Sequence, residues 1–258
     1  MCRTGAFLFM GKKTVMKQLH IRNPFSDLTR FERGLWITSV LVICAGAALT
    51  GGEDLLSVTA SLIGVTALIF VAKGYVLGQV LTVVFAVFYG IVSFHMRYYG
   101  EMITYLCMTS PMAIAAVISW LRHPYDGSAE VAVRPLDAGT VIWLLVSAAA
   151  VTAVFYFILG ALGNASLAVS TLSVTTSWLA SALTFLRSPY YALAYAANDA
   201  VLIVLWIIAA AHTPSCLAMV LCFVMFLAND LYGFLNWRRM ERRQQKTASA
   251  QENNRKGS

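Results

Sequence analysis

The chain has 258 residues, of which 59% are hydrophobic and only 12% charged, with a net charge of +7 and a mean hydropathy of +0.70. A soluble domain is about a quarter charged, so this balance excludes a water-soluble enzyme or binding module and requires a bilayer. The basic residues lie at the two ends and in short loops between apolar runs. That distribution fits a multi-pass protein of the cytoplasmic membrane, not a nucleic-acid surface.

In chain order, the N-terminal "MCRTGAFLFMGKK" carries an apolar run too short for a signal-peptide core and no small-residue cleavage site. Met10 and Met16 read as candidate translation starts. Residues 1–33 read as a cytoplasmic N-terminal segment. Eight apolar segments follow, at residues 34–50, 55–72, 74–95, 102–121, 140–161, 166–186, 190–211 and 214–236. Their lengths approach the ~20 residues a spanning helix needs, and Gly, Pro or charged residues punctuate each junction. Residues 238–258, polar and basic, are expected to form a disordered cytoplasmic tail. The predicted fold class is an all-α integral membrane protein.

Charge orients the spans. Lys12, Lys13, Lys17, Arg22, Arg30 and Arg33 precede the first, Lys73 follows the second, Arg122 and Arg134 follow the fourth, and Arg187 follows the sixth. Arg238, Arg239, Arg242 and Arg243 follow the eighth, while "TGGED", "HMRYYGE", "LGNAS" and "HTPS" at the other junctions carry no basic excess. The alternation predicts eight spans with both termini cytoplasmic. Seven spans would require the short first segment to lie in the interface.

The spans also repeat. "SVTAS" at Ser57 returns as "SVTTS" at Ser173, with 173 − 57 = 116. Trp120 closes segment four and Trp237 closes segment eight, with 237 − 120 = 117, and Tyr89 falls opposite Trp206 at the same interval. Residues 55–121 and 166–237 therefore read as parallel three-helix repeats joined by a linking helix, residues 140–161. The first segment, residues 34–50, is an N-terminal addition. Such 3+1+3 repeats occur in SWEET-like transporters, whose substrates bind near the midplane at the repeat interface.

Polar residues inside the spans mark the candidate site. Asn198–Asp199 lies eight residues into segment seven, and Asn229–Asp230 lies eight residues before Trp237 in segment eight. At 1.5 Å per residue both pairs lie about 12 Å deep. An intramembrane carboxylate costs roughly 2.5–3.5 kcal/mol even on lenient scales, so these pairs are expected to face the bundle interior. Tyr191, Tyr195 and Asn198 share one helical face, an arrangement suited to a flat, polar or cationic ring. Trp178, whose indole N–H needs a partner at mid-depth, and Gln79, Thr82 and Tyr89 on segment three complete the candidate residues, together with Asn229. The cysteines, Cys2, Cys44, Cys107, Cys216 and Cys222, lack metal-ligand spacing and read as small packing residues. No catalytic constellation, metal site, cofactor motif or nucleic-acid motif emerges. The expected partners are the lipid bilayer and a small molecule.

"FVAKG", "FYG", "RYYGEMITYLCMTSPMAIAAVISWLR", "YAANDAVLIVLW" and "FLANDLYGFLNWRRM" follow one another between Phe31 and Met240. This ordered set resembles the PnuC family of vitamin B3 precursor transporters. The resemblance implies a SWEET-like fold, usually a homotrimer, and facilitated diffusion of nicotinamide riboside with trapping by intracellular phosphorylation. It also implies that Asn198 takes the place of the Asn in the family's Trp-x-x-Trp-x-x-x-Asn pattern. The two Trp positions fall on Tyr191 and Ala194, so one aromatic wall is either missing or displaced to Tyr195. The closing Asn-x-x-Tyr-Gly pattern falls on Asn229, Tyr232 and Gly233. Relatives carry thiamine or riboflavin, and these remain alternatives, as does a proton-coupled symporter using Asp199 or Asp230.

Overall fold

The computed structural model describes residues 23–49, 55–164 and 166–256. The N-terminal stretch with Met10 and Met16, and the acidic junction before Leu55, lie outside the described residues. Among the described residues, eight helices are long and apolar enough to cross a membrane. They are α1 (Arg30–Leu49), α2 (Leu55–Ala72), α3 (Val76–His95), α4 (Tyr99–Arg122), α5 (Ala138–Ala161), α6 (Leu167–Phe185), α7 (Tyr191–Ala210) and α8 (Leu217–Lys256). Among the described residues there are no strands beyond two isolated bridges at the loop that follows α4.

Local chemistry sets the ends. Helix α1 starts four residues before the predicted boundary because Thr29 and Glu32 form a reciprocal capping box. The Thr29 N–H donates to Glu32 Oε2 at 2.6 Å and the Glu32 N–H to Thr29 Oγ1 at 3.2 Å. Asp137 caps α5 by accepting from the Thr140 hydroxyl and backbone N–H at 2.6 and 3.0 Å. Those bonds hold its carboxyl below the ordinary range. Helix α4 widens into a π turn over Thr104–Thr109 just before Pro111. Proline lacks the N–H that would continue the ladder and its ring crowds the preceding turn, and a π turn is one way a helix absorbs the misfit.

The basic tail departs from expectation. Instead of a disordered segment from residue 238, α8 continues to Lys256. The loop between α4 and α5 gives it a partner. Arg243 pairs with Glu130, and the Gln244 side chain accepts from the Val133 N–H at 2.8 Å and donates to the Val131 carbonyl at 3.1 Å.

Two helix triplets, α2–α4 and α6–α8, lock together at their basic end by exchange. The Trp120 indole N–H on α4 donates to the Thr184 carbonyl at the end of α6, at 3.0 Å. The Trp237 indole on α8 donates to the Val71 carbonyl at the end of α2, at 2.9 Å. Each carbonyl also accepts from the following turn, Arg187 N–H for Thr184 and Gly74 N–H for Val71. Both donors in those turns have positive φ, 60° at Arg187 and 69° at Gly74. The α6–α7 turn is half-buried, and this desolvation, then the nearby Arg134, lowers the pKa of Arg187.

Helix α1 bridges both triplets. Glu32, only 2% exposed, receives Lys73 at 3.2 Å from the α2–α3 turn and the Tyr232 hydroxyl at 2.8 Å from α8. Further along, Trp36 donates to Thr66 on α2 at 3.1 Å and Asn229 to Ser39 at 3.0 Å. Helix α5 is the outlier, with 11% of its apolar window buried against 39% or more for α4 and α6.

Candidate functional site

A narrow cavity of about 40 Å³ lies between the triplets, tighter than the ~300–1,000 Å³ of open small-molecule sites. Its polar lining comprises Gln79 and Thr82 from α3, Thr109 from α4, Asn198 and Asp199 from α7, and Asp230 from α8. Its aromatic lining is Phe85, Tyr105, Tyr195 and Phe226. Helix α2 contributes Gly64, where a Cβ would stand 2.2 Å from the Phe226 ring. Only a glycine there lets Phe226 close that wall.

Asn198 is held firmly. Three hydroxyls from α6 converge on its Oδ1: Ser173 at 3.5 Å, Thr176 at 2.8 Å and Ser177 at 3.0 Å. The hydroxyl-rich face of α6 therefore fixes the amide plane, and the rest of the amide faces the cavity. Tyr195 is tethered in the same way, with its hydroxyl 3.4 Å from Ser181. Ser173 also donates to Glu101 Oε2 at 3.3 Å. Glu101 is fully buried, and its other oxygen has no partner among the described residues.

Asp199 and Asp230 line the cavity together from adjacent helices, and both are 3% exposed. Among the described residues neither has a Lys or Arg ion-pair partner, and no cluster of three potential metal ligands forms. The cavity thus presents carboxyl oxygen, amide and hydroxyl groups between aromatic walls.

Of the residues singled out from sequence, Asn198, Asp199, Tyr195, Gln79 and Thr82 converge on this cavity. Four others stand elsewhere. Trp178 turns to α5, donating to Ser147 at 3.1 Å and lying 6.4 Å from the Trp143 ring. Tyr89 accepts from the Trp206 indole at 3.0 Å and stacks on Phe85, behind the cavity wall. Tyr191 packs edge-on against Trp237 at 4.8 Å, and its hydroxyl would be 3.2 Å from a Cβ at Gly233. Asn229 binds Ser39 and the Met225 carbonyl, fastening α8 to α1. On α8, Asp230 faces the cavity in place of its neighbour, because successive helix positions point about 100° apart.

Sequence reasoning missed Phe85, Tyr105, Thr109 and Phe226, and took Glu101 for part of an outer loop. Their signal was present. Phe85 stands four residues before Tyr89 on one helical face, and the π turn before Pro111 places Tyr105 and Thr109 together on the cavity.

The profile of the nicotinamide mononucleotide transporter family matches residues 54–239. A nicotinamide riboside transporter PnuC from Neisseria mucosa is 30% identical over 227 residues, spanning 86% of each chain. One from Haemophilus influenzae is 25% identical over 211 residues, 81% of this chain and 90% of the relative. The crystal structure of a vitamin B3 transporter PnuC superposes with a TM-score of 0.76 over 89% of this chain and 97% of that one. At 23% identity that likeness speaks for the fold. The family match and the eight-helix membrane architecture agree: this chain belongs to the nicotinamide mononucleotide transporter family, as a multi-pass membrane transporter.

Proposed function

We propose that the chain carries nicotinamide riboside across the cytoplasmic membrane by facilitated diffusion, with intracellular phosphorylation trapping the product. The observation that carries this choice is the cavity lining. It contains two carboxyls and, among its residues, no Lys or Arg. A mononucleotide brings a phosphate that needs cationic partners. A riboside brings a positively charged pyridinium, a carboxamide and ribose hydroxyls. Asn198, Gln79 and Thr82 suit the polar groups, and Phe85, Tyr105 and Tyr195 suit the ring. Tyr195 then supplies the aromatic wall that the family places at Tyr191 or Ala194.

The proposal includes a SWEET-like 3+1+3 parallel repeat, with α2–α4 and α6–α8 as its halves and α1 as an addition. The exchanged Trp120 and Trp237 hydrogen bonds support it, as does the Tyr89–Trp206 bond across the same 117-residue interval. Both termini are cytoplasmic in this proposal, since the Lys73, Arg134, Arg187 and α8 basic residues then share one side. Association as a homotrimer is part of it too, with the exposed apolar face of α5 available to a second copy.

Proteoliposomes given labelled nicotinamide riboside from outside test the reading. Saturable uptake that excess unlabelled riboside suppresses and nicotinamide mononucleotide leaves unchanged is the expected result. Uptake blocked by the mononucleotide or by thiamine alone overturns it.

A further inference from the structure

Asp199 and Asp230 share one narrow cavity and are both buried. Two buried carboxylates side by side repel each other, and a like charge nearby favours the neutral form. The pair therefore retains a proton. Asp199 Oδ2 remains buried with no partner, on a side chain that lines the cavity. A second, independent feature is the surroundings of the pair. Tyr195 from α7 and Tyr105 from α4 line the cavity with it, and Tyr191 lies behind them against Trp237. From α6 come only hydroxyls, directed to Asn198 and Tyr195. Helices α2 and α3 bring no titratable side chain to the cavity. Glu101 stands behind Ser173, and Lys73 is engaged with Glu32. Nothing cationic among these groups compensates the pair.

We propose that Asp199 and Asp230 form one site that takes either a proton or an organic cation. Without substrate the pair holds one proton. When a cationic ring enters, the carboxyls receive its positive charge and the proton leaves to solvent, so charge at the site is conserved. No covalent bond forms or breaks. The inference rests on the cavity being the substrate site, and it adds a specificity rule: cations are accepted, and neutral or anionic analogues of the same shape gain nothing from the pair. It also makes affinity depend on pH. Acid competes with the substrate, so binding tightens as pH rises, by up to about tenfold per unit where the pair is protonated.

Titration calorimetry on the purified full-length chain tests this without a variant. Nicotinamide riboside is titrated at one pH into two buffers of different ionisation enthalpy, and the difference in heat counts the protons released. Release of about one proton per riboside is expected, with loss of release in Asp230→Asn and Asp199→Asn. Riboside binding with equal heats in both buffers overturns the proposal. Binding of thiamine with proton release, and of no riboside, overturns the assigned substrate while the cation site stands. Binding of neutral riboflavin alone, or of none of the three, overturns the cation site.

Discussion

Trp206 donates its indole N–H to the Tyr89 hydroxyl at 3.0 Å, joining positions 117 residues apart in the chain. Trp120 and Trp237, separated by the same interval (237 − 120 = 117), also meet, with ring centroids 5.4 Å apart. Both contacts join residues at one sequence interval, as the proposed repeat of α2–α4 in α6–α8 requires. One pair lies at the basic end of the bundle and the other beyond the cavity, so the cavity is bracketed between two self-matched aromatic contacts.

Removing either indole donor should loosen the basic end. In Trp237→Phe the Val71 carbonyl keeps its bond from Gly74 but loses the indole, at a cost of about 1 kcal/mol. Trp120→Phe should behave alike through Thr184. Thermal unfolding in detergent measures both. The two Tm losses should be similar, and a large asymmetry between them would argue against equivalent roles.

Asn198→Ala should weaken substrate binding about tenfold, by removing one hydrogen-bonding amide from the cavity. Trp178→Phe is the contrast, because Trp178 serves Ser147 on α5. Its effect should fall on stability, with uptake KM unchanged. Uptake kinetics in proteoliposomes separate the two.

Gly64→Ala places a methyl where the Phe226 ring now lies. Overpacking of this kind costs about 1–3 kcal/mol. Phe226 must swing into the cavity to relieve it, so the KM for riboside should rise. The double variant Gly64→Ala, Phe226→Leu should recover part of the Tm, as read by thermal shift.

Glu32→Gln leaves Lys73 beside a neutral amide in a half-closed pocket. Removing one partner of a buried pair costs about 3 kcal/mol. Adding Lys73→Met should restore much of that loss, and the thermal shift of the double variant measures it. Equal losses in the single and double variants would show that the Tyr232 contact carries the effect.

The spans were legible because bilayer thickness dictates their length. The convergence of Asn198, Gln79 and Thr82 was legible because buried polar groups in lipid must find one another. What stayed hidden follows from the helices being apolar all round. Periodicity cannot orient such a helix, so Trp178 and Tyr89 were assigned to the cavity when they face α5 and Trp206. Glu101 was masked by its polar neighbours Arg97 and His95, which made a helix start look like a loop. The extension of α8 was hidden because its stabilising partner, the 124–137 loop, is over 100 residues away in sequence.

Helix α8 also has a mechanical consequence. The same unbroken rod carries Phe226 and Asp230 at the cavity and Arg243 and Gln244 at the α4–α5 loop. From Asp230 to Lys256 is 256 − 230 = 26 residues, or roughly 39 Å of helix. A tilt of about 5° at the cavity displaces the far end by roughly 3 Å, given that lever length. Whatever the substrate does to the wall is therefore magnified outside the bilayer, and the loop gripping α8 feels it first.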